Sequence, residues 1–139
     1  MNARRVAEQL LVDEGLRLRP YRCTAGKLTI GVGRNLEDRG ITESEALLLL
    51  DNDIADFWGK LALAQPWTLA APEHVQEALL NMAFNLGVGG LLGFKETLAL
   101  LKTEQYSAAA SAMLASKWAR QVGKRAERLA RQVRDGWNL

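Results

Sequence analysis

The chain has 139 residues, 48% hydrophobic and 24% charged, with a formal net charge of +2. That length suits one globular domain burying roughly two-thirds of its unfolded surface, and the composition excludes wholesale disorder and collagen-like or fibrous architectures. A single cysteine, Cys23, closes no internal disulfide, and the single His74 has no partner at ligand spacing, so neither a metal nor a cofactor is expected.

In residues 3–14, Ala3, Ala7, Leu10 and Leu11 recur at helical spacing, Glu14 falls on the same stripe, and Gly15 supplies the stop. A carboxyl ending an apolar stripe would sit in a partly dry setting that favours its neutral form, as a general acid requires. The plainer alternative is a solvated glutamate at a helix end. The period then changes: Leu28, Ile30 and Val32 alternate with Lys27, Thr29 and Gly31, which predicts a half-buried strand in a small hairpin turning near Ala25 and Gly26. Thr29 would share a polar, nearly bare face with Gly31 and Gly33, two glycines that serve either close approach of an extended substrate or twist and packing. Cys23 precedes the turn by about as much as Thr29 follows it, so their side chains meet across the hairpin, unless Cys23 is simply a small buried hydrophobe.

Thr42 and Glu45 form a capping box ahead of a helix expected from about Glu43 into the low sixties, long enough to bridge two lobes. After Pro66 and Pro72, Val75, Leu79, Met82 and Leu86 share one stripe of a buried helix expected to stop at Gly87, with His74 at its surface near the start. GVGGLLGF reads as a glycine-rich connector, and two further helices are expected in ETLALLKTEQYSAAASAML and KRAERLARQVRDGW. The fold class is therefore α+β, mostly helical, with its strands segregated near the start. The basic run Lys117, Arg120, Lys124, Arg125, Arg128, Arg131 and Arg134 is either a solvated helix face or a contact for wall polymer, membrane or nucleic acid. The longest apolar run, Ala46 to Leu50, is far too short to span a bilayer, and MNARRVAEQLLVDEG contains no signal-peptide core. Synthesis in a bacterial cytoplasm, without a signal peptide or stable membrane insertion, is the expectation.

Glu14, eight residues, Cys23, five residues and Thr29 resembles the catalytic pattern of phage lysozymes of glycoside hydrolase family 24, in which the middle residue is Asp or Cys. DEGLRLRPY, TIGVGRN, NMAFNLG, Gly93-Phe94, SKWARQ and KRAERLARQVRDGWNL resemble the same family in the same order. The resemblance implies a single lysozyme domain over 1–139. Its parts would be a first helix (1–14), a small β lobe (15–41), a bridging helix (42–64) and a helical lobe (65–139), with a cleft between the lobes. It implies a monomeric endolysin that acts on the cell wall after release. Such an enzyme hydrolyses the β-1,4 bond between N-acetylmuramic acid and N-acetylglucosamine in peptidoglycan strands, with no nucleic-acid partner.

Glu14 would then protonate the leaving oxygen, Cys23 would stand where an aspartate handles the attacking water, and Thr29 would help hold that water. Asp13 and Arg125 match a supporting pair; Asn85 and Gln121 resemble polar residues of the opposite cleft wall, and Gly31 would lie along the substrate. Arg34 replaces a histidine of the family, so an ion pair known there should be absent, and the short segment before the bridging helix implies a smaller cleft floor. A thiol has an ordinary pKa of about 8.5, and Arg17, Arg19 or Arg22 are the candidates for lowering it. Cys23 is thus a tuned base, a neutral group that orients water, or a nucleophile. Two rival activities remain: a lytic transglycosylase, which needs Glu14 alone, and a noncatalytic module that binds wall polymer or nucleic acid through the basic helix.

Overall fold

The structure, a computed structural model, describes residues 1–137. The chain forms two compact units, one up to residue 49 and one from residue 50 onward. In the first, α1 (Ala3–Glu14) is capped by the Asn2 side chain, which accepts the Arg5 N–H at 3.1 Å, and ends at Gly15, whose φ of 76° takes the chain out of the helix. A three-stranded antiparallel sheet follows, in the order β1 (Arg17–Arg22), β2 (Leu28–Gly31), β3 (Arg34–Asn35). Its first turn is closed by the Gly26 N–H donating to the Cys23 carbonyl at 2.8 Å and the Cys23 N–H to the Lys27 carbonyl at 2.9 Å. Gly26 adopts φ 77°, a left-handed conformation open to glycine at little cost.

The sheet departs from the expected simple hairpin in two ways. β3, with the four-residue helix α2 (Leu36–Arg39) behind it, is too short to show a period in sequence. The faces of β2 are also reversed: Thr29 is 3% exposed, whereas Val32 has left the strand for the second turn and is 38% exposed. The cause is that β2 is the central strand, with Thr29 paired to Tyr21 on one side and Asn35 on the other. Thr29 is the one buried residue of the described part of this unit, so polar contacts rather than an apolar core give it its order.

Helix α3 (Glu43–Ala64) begins in the first unit with the capping box: the Thr42 N–H donates to Glu45 Oε2 at 2.8 Å and the Glu45 N–H to Thr42 Oγ1 at 3.1 Å. The Glu45 carboxylate also takes a two-pronged ion pair from Arg34, with Nη1 to Oε2 at 2.9 Å and Nη2 to Oε1 at 2.7 Å. Arg34 thus stands in an ion pair of its own with an acid eleven residues later.

The second unit has a 3₁₀ turn (Pro66–Ala70), then α4 (Glu73–Leu92), α5 (Lys95–Lys102), α6 (Tyr106–Leu114), α7 (Lys117–Val122) and α8 (Lys124–Asp135). Leu61, Leu79, Met82, Leu91, Met113 and Val133 are fully buried at its centre. Truncating one of the larger of these to Ala costs about 2–5 kcal/mol. Gly87 does interrupt α4, with φ 77° and ψ 156°, but the helix resumes and runs to Leu92, so the glycine-rich stretch is largely helical and not a loop. The following sequence forms four helices where two were expected. Glu104, at φ 61°, separates α5 from α6 without a Gly or Pro to signal the break, and Ser116 caps the additional α7. His74 is half-buried, its ring edge-on to Tyr106 at 6.0 Å and its carbonyl accepting the Gln132 amide at 2.9 Å, so it is not the surface residue expected. Among the described residues no single helix is long and apolar enough to cross a membrane.

Candidate active site

Glu14 is the last residue of α1, and its side chain lies over the turn joining β2 to β3. A Cβ added at Gly33 would fall 2.9 Å from Glu14 Oε2, 3.1 Å from Cδ and 3.3 Å from Cγ. Gly33 also has φ 64°, so both backbone and space require glycine there. Gly31, at φ 70°, has open space around its missing Cβ. The two glycines that looked equivalent in sequence therefore differ: Gly33 receives the carboxyl of Glu14, and Gly31 leaves bare backbone. The apolar, partly dry setting expected for Glu14 is not met, because α1 contains no buried residue and Glu14 is exposed.

Cys23 begins the first turn and is half-buried. Its thiol is drawn below the ordinary range, first by the backbone N–H of Lys27, then by that of Ala25, with a smaller contribution from the Thr29 hydroxyl. Arg17, Arg19 and Arg22, the expected agents, are not among the causes. The Thr29 hydroxyl has a single proton, which it donates to the Lys27 carbonyl at 2.8 Å. To serve a thiolate it must rotate from that carbonyl to the sulfur.

Asp13 is exposed in the last turn of α1 and lines a shallow groove with Arg5, Glu8, Gln9 and Val12. In the second unit, Arg125 donates from Nε and Nη2 to Asn81 Oδ1 at 3.0 and 2.8 Å and from Nη2 to the Asn81 carbonyl at 3.1 Å, which fixes its guanidinium. Asn85 is exposed, but its Oδ1 already accepts the Trp118 indole N–H at 2.8 Å, leaving its amide nitrogen as the donor for a ligand. Gln121 lines an open groove of about 1200 Å³ with Phe94, Lys95, Ser116 and Trp118. Among the described residues no cluster of His, Cys, Asp or Glu could hold a metal ion. Sequence reasoning missed the amides of Ala25 and Lys27, which carry no side-chain signature, and the seat that Gly33 provides for Glu14.

Glu14 at the end of α1, and Cys23 at a turn close to Thr29, are residue types suited to acid–base chemistry on a polar substrate. The family model for phage lysozyme matches residues 12–135, and the chain belongs to that family. That family is one of lysozyme-type cell-wall hydrolases. The chain is 30% identical to the pre-baseplate central spike protein Gp5 of Enterobacteria phage T4, over 94% of this chain but only 28% of that protein. It is also 26% identical to the probable T4-type lysozyme 1 of Dictyostelium discoideum over 94% of each, and 24% identical to probable T4-type lysozyme 2 over 88% of this chain and 89% of the relative.

Proposed function

We propose that the chain is a muramidase that hydrolyses the β-1,4 bond between N-acetylmuramic acid and N-acetylglucosamine, and that it acts as an endolysin, made in the host cytoplasm and opening the wall after release. Glu14 gives its proton to the glycosidic oxygen as that oxygen leaves the anomeric carbon. Water bonds to the same carbon, and its proton passes to the Cys23 thiolate while Thr29 holds the water. The observation that carries the reading is the phage-lysozyme match over residues 12–135, which spans Glu14, Cys23 and Thr29; the thiol of Cys23, shifted toward its ionised form, suits a group that must activate water. Asp13 and Arg125 support the acid, the bare backbone at Gly31 admits the glycan strand, and Asn85 and Gln121 donate to it. The enzyme acts as a monomer, without cofactor or nucleic acid.

The test is digestion of purified peptidoglycan with the fragments identified by mass and anomeric form. Hydrolysis leaves a reducing N-acetylmuramic acid end that contains one added water. Anhydro ends would instead mean a transglycosylase that needs Glu14 alone, and undigested peptidoglycan that retains the protein would mean a binding module. An inverted anomer fits Cys23 as base; a retained one makes it a nucleophile.

A further inference from the structure

In the first unit, one carboxylate outside the site touches both limbs of the Cys23 turn. Glu37, on α2, accepts the Leu28 N–H at 2.9 Å and the Arg22 Nη1 at 2.9 Å, both on Oε1. The same Arg22 nitrogen donates its other proton to the Gly26 carbonyl at 3.0 Å. Arg22 immediately precedes Cys23, Leu28 immediately follows Lys27, and the two are the last paired residues of the β1–β2 ladder. We propose that Glu37 is a positioning residue for Cys23, its carboxylate fixing, through Arg22, Gly26 and Leu28, the turn that begins at Cys23.

The arrangement is economical in physical terms. With no apolar core around it, a five-residue turn would lose its shape through small backbone rotations, and the Glu37 contacts restrain it from outside. The carboxyl of Glu37 is itself held below its ordinary range, first by the Leu28 N–H and then by Arg22, so the clamp is ionised near neutral pH. Lys27 adds a second link to α2 through Asp38 at 3.4 Å. Arg22, which the sequence offered as a charge acting directly on the thiol, acts instead on the turn that Cys23 begins. The catalytic consequence rests on the reading of Cys23 as the group that handles water.

The test compares wild type with Glu37→Ala, Glu37→Gln and Arg22→Gln, each first checked for native circular dichroism. The native-state rate of Cys23 alkylation by iodoacetamide is followed against pH, and kcat and KM are measured on soluble peptidoglycan. Glu37→Ala should move the thiol titration to higher pH, slow alkylation near neutrality about three- to tenfold and lower kcat with KM little changed. Glu37→Gln keeps an acceptor for the Leu28 N–H and should fall between wild type and Ala. Arg22→Gln, which leaves the Glu37–Leu28 bond intact, keeps the question answerable should Glu37→Ala not fold. An unmoved titration in the folded variants overturns the positioning role whatever happens to activity. A moved titration with kcat unchanged overturns instead the catalytic reading of Cys23.

Discussion

Replacing Gly33 by Ala isolates the placement of Glu14 from the stability of its surroundings. The substitution has two separable effects. An alanine held at φ 64° carries the left-handed backbone cost of about 1–2 kcal/mol, and about 4 °C of melting temperature per kcal/mol follows for a chain of this size. The new Cβ would also lie 2.9, 3.1 and 3.3 Å from three consecutive atoms of the Glu14 side chain. Contacts between such atoms are optimal at about 3.5–4.0 Å, so the carboxyl end must swing away by roughly half an ångström or more. A flexible side chain does this at little cost in stability. In activity the cost is large, because a displacement of about 1 Å at a reacting group is worth on the order of 100-fold. Gly40→Ala is the control: Gly40 also has a positive φ, 59°, and nothing within 4 Å of its missing Cβ, so a backbone cost arises there without touching Glu14. Both variants should melt below wild type, while, per folded molecule, Gly33→Ala clears peptidoglycan suspensions at least about tenfold more slowly than Gly40→Ala. Equal activity per folded molecule in both would refute the seating of Glu14 on Gly33.

Cys23→Ser should lose most activity, and Cys23→Asp should keep much of it. The acid limb of the rate profile should shift to lower pH in Cys23→Asp, since ordinary carboxyl and thiol pKa values are about 3.9 and 8.5; alkylation should inactivate wild type and spare the Asp variant. A Ser variant as fast as wild type removes the thiol from the mechanism. The Glu45 carboxyl is pulled down to about 2, chiefly by Arg34, so its folded pKa lies below its unfolded one. Its contribution is complete above the unfolded value of about 4.3 and fades as pH falls toward the folded value, so the gap in melting temperature between wild type and Glu45→Gln should close over that window. A gap independent of pH would contradict the ion pair. Asp13 and Arg125, if paired, should give a double-mutant cycle with coupling above the few tenths of a kcal/mol typical of exposed pairs, and additive effects would dismiss the pairing.

Features set by local chemistry were legible in the sequence. Thr42 and Glu45 announced the start of α3 because a capping box is complete within four residues, and Gly15 and Gly26 marked an end and a turn because few other residues adopt φ near 76°. What the sequence did not announce depends on strands and charges meeting from a distance. Thr29 is buried because β3 closes over its other side, and two residues are too few to predict that strand. Glu45 was legible as a cap but not as the partner of Arg34, and Glu37 carried no pattern at all, because its bonds go to residues nine and fifteen positions earlier. The break at Glu104 gave no sign, since a non-glycine residue there adopts a conformation usually left to glycine. At the candidate site, residue types and spacing singled out Glu14, Cys23 and Thr29, but the amides that lower the thiol belong to backbone that any residues could supply.

The central claim is that Glu14 is the proton donor for cleavage of the glycan. Its most direct measurement is the initial rate of peptidoglycan hydrolysis by Glu14→Gln, with the variant's fold verified by circular dichroism and its melting temperature recorded. A lost general acid is worth on the order of 10²- to 10⁴-fold, so the folded variant should retain less than about one per cent of wild-type activity. Glu14 is exposed and α1 buries nothing, so the melting temperature should scarcely change. A folded Glu14→Gln enzyme that digests peptidoglycan at more than a small fraction of the wild-type rate would contradict the account.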